Sequence, residues 1–199
     1  MSLRRLVLAS ASTARLRVLR GAGFDPEVVV SGVDEDITRL STELTVRDLA
    51  LSKAQAVAGR RRDDSVVIGC DSMLEVDDEP FGKPANADAA RELWHRLAGS
   101  ERSLCTGHCV VDTSTGRSAV AVGRTTVRFG NPDPPELEAY LATGEPLLAA
   151  GGFTIDGHGA AFVDGVDGDP NNVLGLSVSL LRTLLRQLGV PIVDLWSTS

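Results

Sequence analysis

Cysteine is scarce in this chain: Cys70, Cys105 and Cys109 are its three among 199 residues. An odd number gives no disulfide framework, and a reducing compartment, the cytoplasm, is expected. The run Cys105-Thr106-Gly107-His108-Cys109 invites a metal reading. In a strand, however, Cys105 and Cys109 would share one face while His108 points the opposite way. No second ligand pair occurs elsewhere, so buried thiols are expected. Aromatic residues make up 4% of the chain and the net charge is −7. The stacking surface and the basic excess that stable nucleic-acid binding demands are both missing. No apolar run approaches a membrane span. The opening run Leu6 to Ala9 is short and is followed by Ser and Arg rather than a cleavage site, so no membrane association and no signal peptide are expected. The P-loop lysine signature, the dinucleotide-binding glycine pattern, the nucleophile elbow and the zinc helix with paired histidines are all absent. Asp164-Gly165-Val166-Asp167-Gly168-Asp169 has calcium-like composition but lacks the loop spacing and terminal glutamate, and reads as a polar loop. His95 and His158 have no evident triad partner.

With 43% hydrophobic and 24% charged residues, the chain is long enough to bury one core, in a single domain over residues 1–199 with two lobes. Arg5 to Ala9 reads as a strand, leading to a helix from about Ser12 to Arg20 that Gly21 and Gly23 end. Glu27 to Ser31 is β-branched and predicts a second strand. An acidic loop, Ser31 to Ser41, precedes a helix capped by Thr45, with Val46, Leu49, Ala50, Ala54 and Val57 at helical spacing. Ser65 to Val76 is the clearest buried strand, and Ala87 to Leu97 a helix. Ser103 to Asp112 and Arg117 to Phe129 flank Thr113-Ser114-Thr115-Gly116, a hairpin signal. Pro132, Pro134 and Pro135 introduce a helix to about Leu141. Gly151 to Gly168 is glycine-rich with short strand-like pieces, and a closing helix runs from about Leu174 to Leu188. Helices interleaved with strands, plus one antiparallel hairpin, predict an α/β fold with a mixed central sheet flanked by helices.

The candidate chemistry is spread along this framework. Leu6-Val7-Leu8-Ala9-Ser10-Ala11-Ser12-Thr13-Ala14-Arg15 empties a strand into small hydroxyl residues at a helix N-terminus. Such a terminus carries partial positive charge and exposed N–H groups. Ser10 and Ser12 can donate to oxygens, and Arg15 can grip them in a two-pronged way: an anion cradle, or else an ordinary cap by Ser12 beside a solvated arginine. Lys53 falls on the apolar stripe of its helix, where it either snorkels or points into a polar cleft. Asp71 lies mid-strand behind Gly69 and Cys70, a costly place unless it meets a metal, a cation or a substrate. A structural buried salt bridge is the alternative. Gly69 would allow another chain or a ligand to come close. Glu35, within Asp34-Glu35-Asp36, adds carboxylate density of the kind that suits Mg²⁺ or Mn²⁺ bound mainly through substrate phosphates, or is part of a solvated loop. Lys83, before Pro84, is a phosphate point charge or a surface turn lysine.

Taken in order, these pieces resemble the Maf family of nucleoside triphosphate pyrophosphatases, related in fold to the inosine triphosphatases. The likeness includes Leu8 to Ser12 with Arg15, Gly32-Val33-Asp34-Glu35, Ser52-Lys53-Ala54, Gly69-Cys70-Asp71-Ser72 and Gly82-Lys83-Pro84. It continues through Thr106-Gly107, Glu145-Pro146, Gly151 to Gly157 and Gly168 to Leu176. The resemblance implies cleavage of a nucleoside triphosphate between the α and β phosphates, with a divalent metal, Mg²⁺ or Mn²⁺, in a homodimer. Ser10, Arg15, Lys53 and Lys83 would bind the triphosphate, Glu35 and Asp71 the metal, and Asp71 would accept the proton from water. A nucleotide-binding regulator of septum formation is the alternative that the family name carries.

Base selection departs from the family's known patterns. A branch acting on dTTP and UTP has arginine, threonine and glutamine where this chain has Ala14, Ser72 and Asp156. A branch acting on 7-methyl-GTP has tryptophan, glutamine and glutamate there. Asp156 would accept hydrogen bonds from a base with N–H donors, such as guanine or cytosine, and Ala14 leaves room and removes a stacking surface.

Overall fold

The computed structural model describes residues 4–35 and 41–197; Asp36 and the rest of the acidic stretch to residue 40 lie outside them. Among the described residues, seven strands form one sheet: β1 (Arg5–Leu8), β2 (Glu27–Val28), β3 (Ser65–Val76), β4 (Glu79–Phe81), β5 (Glu101–Asp112), β6 (Ser118–Phe129) and β7 (Val163–Asp167). The helices are α1 (Thr13–Gly21), α2 (Thr42–Ala58), α3 (Ala87–Leu97), α4 (Pro134–Ala142), α5 (Pro170–Val173) and α6 (Val178–Leu188). The strand order is β2-β1-β3-β5-β6-β7, with β4 also on β3. β1 runs parallel to β2 and β3, and every other pairing is antiparallel. The sheet is mixed, as the interleaved elements predict.

Several boundaries move, each for a local reason. β2 is two residues rather than five because its partner ends: Leu8 pairs with Val28, and the last bond runs from Val29 N to Leu8 O. Helix α2 begins at Thr42, capped by the Ser41 hydroxyl, which accepts from Leu44 N. Thr45 is not the cap but is buried in the first turn, where its hydroxyl donates to Ser41 O. The closing helix starts at Val178, capped by Ser177. Gly175, with φ of 96°, breaks it from the short α5. Between Gly151 and Phe162 the chain makes tight 3₁₀ turns, and β7 is the strand of this region.

Three buried clusters fill the molecule. Val66, Ile68 and Cys70 of β3 pack with Leu181, Leu184, Leu185 and Leu188 of α6, while Val67 of the opposite face packs with Ala50, Ala54 and Val57 of α2. Farther along the same strand, Leu74 and Val76 join a third cluster around Trp94, Phe129, Tyr140 and Phe153. The long strands therefore tie two core regions together, with Asp71 between them.

Helix α2 lies flush on the sheet because two glycines leave room for its backbone. A Cβ at Gly69 would stand 2.3 Å from Ala50 O and 2.6 Å from Ala54 N. One at Gly107 would stand 2.1 Å from Val46 O. The expected close approach at Gly69 is thus made by a helix of the same chain. On the other face His108 is fully buried. Its Nδ1 lies 3.0 Å from Thr106 O and its Nε2 accepts from Ser177 N at 2.8 Å, an arrangement that requires the neutral ring with its proton on Nδ1. Cys70, Cys105 and Cys109 are free and buried.

Substituting Gly69→Ala forces the helix backbone to move, and is expected to lower unfolding free energy by about 3 kcal/mol or more in a denaturant titration. Burial lowers the His108 pKa to about 4 against an ordinary 6.5, despite the bond to Thr106 O. Between those values the unfolded chain binds a proton that the folded one refuses. Stability is full above pH 6.5 and falls as the pH drops towards 4, by about 3 kcal/mol in total. Denaturant midpoints measured across that window should show the slope in the native chain and lose it in His108→Gln.

Candidate active site

β3 is longer than the strand beside it. β1 covers it from Ser65 to Ile68 and β4 from Leu74 to Val76. The stretch Gly69 to Met73 is left without a strand on that edge, while β5 continues along the other. Because β2 and β3 flank β1, the chain leaves the end of β1 at a switch point of the sheet, where open α/β folds place ligands. Here lies a cavity of about 470 Å³ lined by Ser10, Ala14, Arg15, Glu35, Lys53, Asp71, Ser72, Lys83 and Asp156. These are all nine of the residues singled out from the sequence. Met73, Leu148, Phe153, Thr154, Leu174 and Gly175 also line it, and nothing in their spacing marked them beforehand.

The floor is electrostatic. Lys53 does not snorkel; it is 4% exposed, and its Nζ donates to Asp71 Oδ1 at 2.6 Å and pairs with Glu35 Oε1 at 2.6 Å. Asp71 is 5% exposed. Burial raises its pKa and outweighs the opposing pull of Lys53 and Arg15, while Glu35 adds to the rise. The pair is therefore both a buried salt bridge and the wall of a cavity. Removing one partner of such a pair costs about 3–5 kcal/mol, since the other charge is left buried and uncompensated.

The cradle forms where β1 meets α1. Ser12 caps α1, accepting from Arg15 N. Arg15 is buried, and its guanidinium is committed on three sides: Nε to Gly175 O at 2.9 Å, Nη1 to Ser10 Oγ at 3.1 Å and Nη2 to Ser72 Oγ at 3.1 Å. Of its five N–H donors, two remain. Ser72 is in turn 3.0 Å from Thr106 Oγ1, whose hydroxyl donates to Asn172 O. A chain of polar contacts thus runs from α1 across β3 and β5 to α5.

Lys83 follows β4, exposed at the rim. Asp156 also lines the cavity and pairs with Arg17 of α1, a contact invisible in the sequence. His158, for which the sequence offers no evident triad partner, has its Nδ1 3.1 Å from Glu145 Oε2. Glu145 also accepts from Thr154 Oγ1, His158 N and Gly159 N. Burial works to raise its pKa, but these bonds outweigh it and bring the value down to about 2.

Among the described residues, no group of three or more His, Cys, Asp or Glu side chains is placed to hold a metal ion. Asp71 and Glu35 do meet on one ammonium. Two hard oxygen donors fit a Mg²⁺ or Mn²⁺ ion that completes its coordination with substrate phosphates and water. Among the described residues, no helix is long and apolar enough to cross a membrane.

Residues 5–188 match the family described as Maf-like protein. The chain is 52% identical over 197 residues to a nucleoside triphosphate pyrophosphatase of Streptomyces coelicolor, covering 98% of this chain and 95% of that protein. It is 51% identical over 199 residues to one from Streptomyces avermitilis, with the same coverage of each. It is 49% identical over 206 residues to one from a Mycobacterium species (strain JLS), covering 97% of this chain and 98% of that protein. A solved dITP/XTP pyrophosphatase of Mycobacterium abscessus aligns at 18% identity with a TM-score of 0.38, over 63% of this chain and 72% of that chain. By the extent of the family match and the identity to full-length relatives, this chain belongs to the Maf family.

Proposed function

We propose that the protein hydrolyses a nucleoside triphosphate to the monophosphate and pyrophosphate. The observation that carries this is the buried Lys53–Asp71 contact, with Glu35 on the same ammonium, facing a hydroxyl–arginine cradle across one cavity. Relatives about half identical over nearly the whole chain are named for this reaction.

The two free N–H donors of Arg15, the Ser10 hydroxyl, the N-terminus of α1 and the Lys83 ammonium take the phosphate oxygens. Lys53 keeps one Asp71 oxygen engaged and leaves the other to accept a proton. As a water oxygen bonds to the α-phosphorus, its proton passes to Asp71, the bond to the α–β bridging oxygen breaks, and pyrophosphate leaves with the electron pair. The raised pKa of Asp71 suits it to this exchange. A divalent cation, Mg²⁺ or Mn²⁺, held by Asp71 and Glu35 would neutralise charge on the phosphates and acidify a bound water. Lys53 and Lys83 offset the charge that grows on the departing pyrophosphate.

Asp156 selects the base. One of its oxygens goes to Arg17, and the carboxylate retains capacity to accept from an amino-bearing base. Ala14 lines the same cavity and adds only a methyl group to it.

Pyrophosphate release from purified protein with Mg²⁺ should fall by about 10²-fold or more in Asp71→Asn, with thermal melting followed in parallel, and should vanish with EDTA. No release from any triphosphate, with tight nucleotide binding retained, would move the function to nucleotide sensing. Across a panel, guanine and cytosine triphosphates should be turned over with kcat/KM about tenfold above UTP and dTTP. Equal turnover of UTP and dTTP with guanine and cytosine nucleotides inert would overturn the assignment of Asp156.

A further inference from the structure

We infer that Glu145 is a positioning residue for base selection, fixing the loop that carries Asp156 without touching the substrate itself. The inference rests on the reading of the cavity as a triphosphate site. Glu145 stands directly after Gly144, at the start of the turn that follows α4, and is not among the residues lining the cavity. Its side chain is 19% exposed, and one carboxylate collects four hydrogen bonds: Thr154 Oγ1 at 2.6 Å, Gly159 N at 2.8 Å, His158 N at 2.9 Å and His158 Nδ1 at 3.1 Å. The donors bracket Asp156 on both sides in sequence. The loop is therefore wrapped around a single anion, with Asp156 at its tip.

The fit leaves no slack. A Cβ at Gly157 would stand 2.3 Å from Glu145 Oε2. One at Gly159 would stand 2.5 Å from Tyr140 Oη and 2.9 Å from the Thr154 backbone. At the loop's entrance Phe153 is 2% exposed and packs edge-on against Phe129, with ring centroids 4.8 Å apart. The Asp156 carboxylate itself is paired with Arg17 of α1. Glu145 thus sets the backbone on one side of Asp156 and Arg17 its side chain on the other. Only an ionised carboxylate satisfies all four donors. A glutamine in its place offers one carbonyl oxygen and turns an NH₂ group towards N–H donors. The depressed pKa keeps the anion through the neutral range.

The test compares kcat and KM for GTP and UTP in the native chain, Glu145→Gln, Asp156→Ala and the double variant. In Glu145→Gln, KM for the preferred triphosphate is expected to rise about tenfold with kcat held within about twofold. The GTP-to-UTP ratio of kcat/KM should fall to that of Asp156→Ala, and the double variant should show no further loss. A ratio that stays native in Glu145→Gln while Asp156→Ala moves it overturns the inference, as does a fall in kcat with KM unchanged. Should Glu145→Gln fail to fold, His158→Ala removes only the ring donor from an exposed side chain. It should raise KM about threefold with the ratio moving in the same direction; no movement overturns the inference. Absence of turnover in the native chain would sink the proposed reaction instead. The same ratio is then read from binding of α,β-methylene analogues of GTP and UTP, where an unchanged ratio in Glu145→Gln again overturns the inference.

Discussion

Helix α2 sits so close to the sheet that its backbone touches the positions where side chains would stand. Gly69 on β3 and Gly107 on β5 share one face, and the two gaps admit the carbonyls of Ala50 and Val46. Everything at the floor of the cavity follows from that approach. Lys53 is carried within 2.6 Å of Asp71, and Glu35 reaches the same ammonium from the loop before the helix. A helix held off by even one methyl layer would leave an aspartate buried without its counter-charge, which the low-dielectric interior does not tolerate.

The site is a place where the sheet stops being complete. β1 ends at Leu8 and β4 begins only opposite Leu74, so the edge of β3 from Gly69 to Met73 is open. α1 starts in that gap, bringing its N-terminus, Ser10 and Arg15 together. Positive groups surround an opening in which the buried Asp71 is paired with the equally buried Lys53, and the exposed Glu35 reaches the same ammonium. In a protein with a net charge of −7, Arg15, Lys53 and Lys83 gather around one cavity. Much of Arg15 is spent on Gly175, Ser10 and Ser72. These bonds fix the walls and hold the guanidinium in place, with two N–H donors uncommitted.

The rim is built differently from the floor. Asp156 is carried by a glycine-rich loop whose ends are anchored in the core by Phe153 and Phe162, while polar contacts tie Glu145 to the loop and Arg17 to the Asp156 carboxylate. Floor residues stand on regular elements, where hydrogen-bond ladders and packing fix them. A rim residue on a loop needs dedicated polar anchors instead.

Where side-chain type and period decide the structure, the sequence alone was sufficient. The buried run from Ser65 to Val76, the helix Ala87–Leu97 and the hairpin around Thr113 to Gly116 are all local in origin, and β3 and α3 begin and end where their patterns do. Lys53 and Asp71 were legible from the residues themselves, because a lysine on an apolar stripe and an aspartate in a buried strand are each anomalous on their own; Ala14, Ser72 and Asp156 were named only through the resemblance to the family. Tertiary structure decided what no local pattern holds. The length of β2 was set by where its partner ended, and the start of α2 by Ser41 rather than Thr45. The pairing of Lys53 with Asp71, of Asp156 with Arg17, and of Glu145 with the loop from Thr154 to Gly159 joins residues far apart along the chain. Such contacts depend on how closely elements pack, and that distance is fixed by the glycines between them only once the whole sheet has formed.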